Sequence, residues 1–485
     1  MALLTGGSIL KLNFLLQSLG LESPFGDAEI SGVTDKTERV REGSLFVAIE
    51  GAKTDGHLLA AQALEMGAAA VVTQRNMCLE HEITVRDTRL AYSFLCSAFF
   101  SAPQDGMIMI GVTGTNGKTT TAEYLKHILE ASGRRCGIIG TLGCGIDEHR
   151  QDSGYTTPSC DILFSQLRAI ADAGCKYCVM EVSSQALEQR RVDAIEFKLG
   201  IFTNIGSDHL DYHGKMSCYI KAKSRLFMLS ENALFNADDA YADSLAGYCP
   251  ALRPVYYSAR GGYADFMAKN IKFTDDGVSY LLVHNSDIES VRVKGIGDFV
   301  VYNSLAAISA ALCLGVNAGE AATAAADFPA VRGRTQCINA SGFRVFIDFA
   351  HTPEALSAVI KALKRQCRGR LITVFGCGGD RDKFKRPEMG RIASLYSDSV
   401  IVTSDNPRSE KPEDIIADIM AGAKAKSGVF TEPDRAKAIA LALNKASADD
   451  IVLIAGKGHE EYQIINGEKI FFSDEKTVKR LIGKY

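Results

Sequence analysis

From Met107 to Glu130 the chain reads MIMIGVTGTNGKTTTAEYLKHILE, and the reading of this stretch decides the fold. Met107 to Val112 is a continuous apolar run, the pattern of a strand buried on both faces of a parallel sheet. Thr119 to Glu130 carries Ala122, Leu125, Ile128 and Leu129 at helical spacing. Gly114-Thr115-Asn116-Gly117-Lys118-Thr119 lies between them, a glycine turn joining a buried strand to a helix. Such a turn suits phosphate. Glycines let backbone N–H groups approach phosphate oxygens, and the helix N-terminus adds partial positive charge. Lys118 adds a full charge, and the Thr119 hydroxyl can reach Mg²⁺. The usual spacing of glycine, four residues, then Gly-Lys-Ser/Thr fails here. Val112 stands where the first glycine belongs, and Gly111 falls one place early. The plain alternative is a tight turn with a solvated lysine; the flanking strand and helix favour the phosphate reading.

Outward from the loop the same alternation continues. Tyr177 to Val182, Leu199 to Thr203 and Ala233 to Asn236 are further buried-strand candidates, and strands alternating with helices predict a mostly parallel α/β sheet. Upstream, Ser44 to Ile49 reads as a strand, Leu58 to Met66 as a helix and Ala68 to Val72 as a strand. This small α/β unit is closed by the turn-rich Pro103-Gln104-Asp105-Gly106. Beyond Val331-Arg332-Gly333-Arg334, strand candidates at Val345 to Phe349, Leu371 to Phe375, Ser399 to Thr403 and Ile451 to Ala455 predict a second open sheet of Rossmann-like architecture. The expectation is three α/β domains over residues 1–106, 107–333 and 334–485. A length of 485 residues agrees, at about 150 residues per domain.

Composition narrows the class. Hydrophobic residues are 46% and charged residues 23%, enough for each unit to bury a core. A formal net charge of −4 gives no bulk attraction for nucleic acid. Thirteen cysteines without regular spacing point to reduced thiols and a cytoplasmic location. Met1 to Gly20 lacks the pattern of a signal peptide, and no apolar run reaches the ~18 residues of a membrane span.

In open α/β sheets, ligands bind outside the carboxyl ends of the strands, and polar clusters gather there. Glu181-Val182-Ser183-Ser184 follows one strand and Asn204 to Gly214 the next. Asp348-Phe349-Ala350-His351, Gly376 to Asp382, Asp405-Asn406-Pro407-Arg408 and Gly456-Lys457-Gly458-His459-Glu460 end the strands of the last unit. Six clusters plus the loop predict a composite site between two sheets. Taken singly, Glu181 is either a Mg²⁺ ligand or a turn cap. His209 and His213 are either a ligand pair or hydrogen-bonded structure, and Lys223 is by default a solvated helix lysine. Cys175 and Cys178 have metal-like spacing but no second close pair, which argues against zinc.

In this order the clusters resemble those of the Mur ligase superfamily, over nearly the whole chain. Folylpolyglutamate synthases share the Gly-Thr-x-Gly-Lys loop, so the loop alone does not choose. The longer motifs are Tyr-Thr-Thr-Pro at 155–158, Phe-Thr-Asn-Ile-Gly-Ser-Asp-His-Leu-Asp-Tyr-His-Gly at 202–214, Gly-Asp-Arg-Asp at 379–382, Asp-Asn-Pro-Arg at 405–408 and Gly-Lys-Gly-His-Glu at 456–460. They are similar to those of members that add the third amino acid to the peptidoglycan precursor.

The resemblance implies roles. Gly114, Thr115, Asn116, Gly117, Lys118, Thr119 and Thr120 would hold ATP, with Asn303, Arg334, Asp348 and His351 on its nucleotide part. Thr119, Glu181 and His209 would help hold Mg²⁺. Lys223 aligns with a lysine that the family carboxylates, turning a cation into an anionic ligand for a second Mg²⁺; Lys118, Lys223 and His209 are the implied catalytic groups. Thr37, Thr156, Thr157, Ser183, Gln189 and Arg191 would bind UDP-N-acetylmuramoyl-L-alanyl-D-glutamate, the first domain gripping the uridine. Three departures from the family pattern stand out: Lys36-Thr37-Glu38 in place of Asp-Ser-Arg, Gln185 in place of histidine and Phe349 in place of tyrosine.

The implied reaction has two steps. The D-glutamate side-chain carboxylate attacks the γ-phosphate of ATP, and an amine then displaces phosphate from the acyl phosphate. Both starting groups are anions, so Lys118 and Mg²⁺ are needed to offset repulsion. The incoming amino acid is expected to be meso-diaminopimelate. Unlike lysine it carries a distal carboxylate, which Arg408 can bind with two charge-assisted hydrogen bonds, assisted by Arg381. Glu460 can accept the distal ammonium, and Asp405, Asn406, Pro407 and Gly456 complete the expected site. L-lysine addition and a folylpolyglutamate synthase-like ligation are the alternatives; the ~106 residues before the loop argue against the second. A monomer is expected, with no membrane or nucleic-acid partner.

Overall fold

Apolar strands alternating with helices build three principal sheets in the computed structural model. It describes residues 9–483 apart from 52–53, 148, 153, 207, 209, 251–252, 275–276 and 424–427. In the first unit, Gly32–Thr34, Ser44–Val47, Ala68–Thr73 and Glu82–Thr84 form a parallel sheet in that order. The helix expected from Leu58 to Met66 is divided. Asp55 accepts a hydrogen bond from the His57 N–H and starts a 3-10 turn over Gly56–Leu59 before the α-helix Ala60–Glu65.

Among the described residues the central sheet has eleven strands. Ile108–Thr113 lies inside it, paired in parallel with Tyr177–Glu181 on one side and Phe197–Phe202 on the other. Ser230–Asn236 and Val255–Ser258 continue the parallel order. An antiparallel meander of Phe266–Thr274, Gly277–His284 and Asp287–Val293 then extends the sheet. These last strands were not expected. One of their faces is solvated, so charged residues such as Lys269 and Arg292 alternate with the buried ones and interrupt the apolar run. The helix after the loop is Lys118–Ala131, and Asp298–Cys313 packs against it.

The third sheet runs Gln336–Asn339, Arg344–Asp348, Ile451–Ala455, Leu371–Phe375, Ser399–Val402, Val429–Thr431. Only its first pairing is antiparallel. Leu356, Ile360 and Leu363 of helix Pro353–Gln366 cover one face, and Ala438, Ile439 and Ala442 of helix Arg435–Lys445 cover the other. The sheet is therefore doubly wound, with its ligand crevice at the carboxyl ends. Among the described residues no helix is long and apolar enough to cross a membrane.

One buried ion pair ties the carboxyl ends together. Arg435 and Asp474, both with fully buried side chains, meet through two hydrogen bonds of 2.8 Å. Arg435 also donates to Ser404 O at 3.2 Å and Ala455 O at 3.0 Å, so it spans the ends of two strands. Asp474→Ala strands a buried guanidinium and is expected to cost about 3–5 kcal/mol. Denaturant unfolding of the two proteins measures it, and a loss below ~1 kcal/mol would contradict the structural role.

Candidate active site

The loop owes its shape to two glycines with positive φ, Gly114 (151°) and Gly117 (87°). A Cβ on Gly114 would overlap Thr203 Oγ1, and one on Gly117 would press on Asn303 Oδ1. Thr203 and Asn204, just past the Phe197–Phe202 strand, brace the loop. Thr115 N donates to Asn204 O at 2.8 Å, Asn116 N to Asn204 Oδ1 at 3.0 Å, and Thr203 Oγ1 to Asn116 O at 2.7 Å.

Two lysines converge on this loop. Lys118 Nζ donates to Gly114 O at 2.8 Å and Thr115 O at 2.9 Å, and burial pulls its pKa down against the raising effect of Glu181 and Asp208. Lys223 Nζ donates to the same Gly114 O at 2.8 Å. It is 1% exposed, so the default solvated reading is overturned. Burial first, then the Lys118 charge, hold its pKa well below the ordinary lysine value, which favours a neutral amine.

Glu181 faces the loop. Its Oε2 accepts from Thr119 Oγ1 at 2.8 Å and Thr141 Oγ1 at 3.2 Å, and its Oε1 from Thr141 N at 2.7 Å. Thr141 was not anticipated. From there a network reaches the residues expected to bind the dipeptide. Thr156 and Thr141 share a hydroxyl contact of 3.0 Å, Thr157 Oγ1 donates to Glu181 O at 2.8 Å, and Ser183 N donates to Thr157 Oγ1 at 3.0 Å. Arg191 donates to Thr157 O at 2.6 Å and to Gln189 Oε1 at 2.7 Å. Thr37 lies apart, in the short turn Thr37–Arg39 of the first unit; Arg39 pairs with Asp161 of the central unit. His209 lies outside the described residues. His213 meets Ser184 Oγ at 2.9 Å, the hydrogen-bonded alternative. Cys175 and Cys178 are buried free thiols, and the described residues hold no group of three or more His, Cys, Asp or Glu poised for a metal.

The third sheet supplies the opposite wall. Arg334 Nη2 donates to Thr119 Oγ1 at 3.1 Å, and its guanidinium stacks 4.6 Å from the centre of the Phe349 ring. Asp348 accepts from Thr335 N at 2.6 Å and Ala350 N at 2.8 Å, and burial raises its pKa. His351 contacts Phe349 O at 2.8 Å and approaches the Asp208 carboxylate at 3.8 Å; burial lowers its pKa. Asn303 is buried beside Gly117 and Thr121, and Thr120 follows Thr119 in the first helical turn. His459 packs 5.2 Å from Phe349, and burial, then Arg334, push its pKa down to about 3.

Arg381, Asp405, Asn406, Arg408, Gly456 and Glu460 line one cavity of about 200 Å³. Phe349, His351 and Asp208 also line it, so it opens toward the phosphate loop. Asp382, from the Gly376 to Asp382 cluster, lines it as well, and so does Lys385, which was not foreseen. Pro407 is not part of the lining; its carbonyl sits against Gly379. Lys457, assigned no role from sequence, is fully buried beneath the cavity, with Nζ 3.0 Å from Asn406 Oδ1 and 2.8 Å from Glu460 Oε2. A larger opening of about 570 Å³, beside Phe266, His284 and Leu312 at the antiparallel edge, gathers none of these groups.

Comparison with known proteins finds three family matches along the chain. Residues 29–93 match the model described as "Mur ligase family, catalytic domain", residues 112–311 the Mur ligase middle domain, and residues 333–458 the Mur ligase glutamate ligase domain. The chain belongs to the Mur ligase family. Curated relatives in the Mur ligase family include UDP-N-acetylmuramoyl-L-alanyl-D-glutamate–2,6-diaminopimelate ligases. That of Syntrophomonas wolfei subsp. wolfei is 40% identical over 98% of this chain and 99% of its own length. That of Clostridioides difficile is 40% identical over 98% and 100%. A solved structure of a ligase of the same name is 32% identical, with a TM-score of 0.72, over 98% of this chain and 99% of that one. Within the Mur ligase frame, the phosphate loop falls in the middle-domain match and the 200 Å³ cavity gathers mainly residues of the glutamate ligase match.

Gly114→Ala forces a side chain into Thr203 and is expected to weaken binding of a non-hydrolysable ATP analogue at least tenfold by calorimetry. Equal affinity would contradict the loop geometry. His459 yields a pH prediction. Its folded pKa is about 3 against an ordinary 6.5, so the unfolded chain takes up the proton first. Stability is therefore lost as pH falls from 6.5 toward 3. His459→Asn is expected to lose less unfolding free energy than the parent between pH 7 and pH 5; a parallel loss would remove His459 as a cause.

Proposed function

We propose that this Mur ligase joins diaminopimelate, in its meso form, to the D-glutamate of UDP-N-acetylmuramoyl-L-alanyl-D-glutamate, converting ATP to ADP and phosphate. The reading is supported by the named relatives at 40% identity over nearly the full chain. The single observation that carries the amino-acid choice is the pair of guanidinium groups at the cavity. Arg408, held at φ 55°, spends Nη1 on Gly379 O at 2.7 Å and Asn406 O at 3.4 Å. Burial and the nearby Arg381 charge lower its pKa, so a ligand carboxylate arriving between the two would relieve both penalties.

Mg²⁺ is proposed on the oxygen set around Glu181. Thr119 Oγ1 and the Glu181 carboxylate already lie together at 2.8 Å, hard oxygen donors of the kind Mg²⁺ takes alongside substrate phosphates. The residues fit. Bound there, the ion would supply charge for the triphosphate. Lys223 completes the set if its amine takes up CO₂ as a carbamate; its burial and low pKa supply the neutral amine that this addition requires. Gly114 to Thr120 cradle the phosphates, with Asn303, Arg334, Asp348 and His351 toward the nucleotide. Thr156, Thr157, Ser183, Gln189 and Arg191 face the dipeptide, and Thr37 the uridine end. The sheltered junction lets Lys118 and Arg334 act on charge with little competition from water. A nucleotide-linked substrate and cysteines that form no disulfide among the described residues support a cytoplasmic location.

Phosphate release with ATP and the UDP-muramoyl dipeptide, comparing meso-diaminopimelate with L-lysine, tests the reaction. Release with diaminopimelate and little with L-lysine is expected; release with neither removes the ligase reading. Arg408→Ala should cost about 3 kcal/mol, on the order of 100-fold in KM for diaminopimelate, and an unchanged KM would overturn the assignment.

A further inference from the structure

The carboxylates of the amino-acid cavity outnumber its cations. Asp208, Asp382, Asp405 and Glu460 line it against Arg381, Lys385 and Arg408. Taken alone, that wall favours a ligand end of net positive charge, which describes a lysine side chain. Lys457 evens the count from beneath. It is fully buried, and its Nζ lies 2.8 Å from Glu460 Oε2 and 3.0 Å from Asn406 Oδ1. Asn406 Nδ2 in turn donates to the same Glu460 oxygen at 3.0 Å, and Ile464 N holds Asn406 Oδ1 at 3.0 Å. Glu460 therefore reaches the cavity already bearing an internal ammonium on one oxygen.

We propose that Lys457 sets amino-acid specificity by neutralising Glu460, so that the cavity suits a side-chain end carrying both an ammonium and a carboxylate and disfavours one ending in an ammonium alone. The inference rests on the diaminopimelate reading above and extends it to a residue that touches no substrate. Lys457 acts through Glu460 and Asn406. A buried cation repels a second cation over a few ångströms of low-dielectric interior far more than across water. A distal ammonium accompanied by its own carboxylate carries no net charge and escapes most of that repulsion. Arg408 attracts the carboxylate; Lys457 penalises its absence, which is the repulsive half of discrimination.

The test is the ratio of kcat/KM for meso-diaminopimelate to that for L-lysine. In Lys457→Met the ratio is expected to fall at least tenfold, with KM for ATP within twofold of the parent, while Lys457→Arg keeps the charge and most of the ratio. A merely structural lysine would lower both amino acids by one factor and leave the ratio unchanged, and that result overturns the proposal. Should Lys457→Met fail to fold by thermal melting, Lys457→Gln, which keeps a donor to Glu460 without the charge, is read in the same way. If neither neutral variant folds, Lys457 is structural and the proposal falls. A parent enzyme that ligates neither amino acid overturns the reaction and this inference together; a parent that prefers diaminopimelate, with an unchanged ratio in Lys457→Met, overturns this inference alone.

Discussion

The contact from Arg334 to Thr119, 3.1 Å across the junction of the second and third sheets, is the constraint on which the site depends. Neither sheet holds the whole chemistry. The central sheet brings the glycine loop, Glu181 and Lys223; the third brings most of the 200 Å³ cavity proposed for the amino acid. An ATP γ-phosphate and an incoming amine can meet only if the carboxyl ends of both sheets face each other. Arg334 and the approach of His351 to Asp208 at 3.8 Å hold them so. Arg334 belongs to the chain just past the second unit, while its neighbour Phe349 directly follows the Arg344–Asp348 strand of the third. One guanidinium thus reads the positions of both.

Charge management follows from that closure. The reaction brings two anions together, and the loop meets them with two lysines on one carbonyl oxygen, Gly114 O. Two ammonium groups so close are mutually costly, and burial adds to the cost. Burial is the main cause of the lowered pKa at both lysines, and at Lys223 the Lys118 charge lowers it further. The conflict is resolved if Lys118 stays cationic for phosphate and the neutral Lys223 amine adds to CO₂ and gives up its proton to solvent, leaving an anionic carbamate. The same buried neighbourhood that makes Lys223 a poor cation leaves the neutral amine that the proposed addition of CO₂ requires.

Much of this was legible in the sequence, and the rest was hidden for identifiable reasons. Strands such as Leu371–Phe375 and Ile451–Ala455 are buried on both faces, so unbroken apolar runs mark them without ambiguity. The Phe266–Val293 meander is half-solvated and leaves no such run. The clusters at strand ends were visible because topology puts ligands there. Their internal partners were not, because those pairings are non-local. Thr141 meets Glu181 across 40 positions, and Lys457 meets Asn406 across 51. Lys223 looked solvated because helical spacing says nothing of the neighbouring sheet that covers it.

The buried cations of the third unit raise a question of energy. Arg386 holds Glu410, Asp418 and Gly378 O; Arg435 holds Asp474, Ser404 O and Ala455 O; Lys457 holds Asn406 and Glu460. Buried ion pairs are commonly no more stabilising than apolar packing of the same volume, because desolvation consumes the attraction. Stability alone therefore gives little reason for three of them at one end of one sheet. What they share is the turns they touch: 376–382, 404–408 and 456–460, the three that line the cavity. Apolar side chains could fill the space but could not fix carbonyl and carboxylate directions to within a few tenths of an ångström. The discrimination proposed for this cavity, one carboxylate against none, needs that directional precision, and buried charge in the third unit would meet the need.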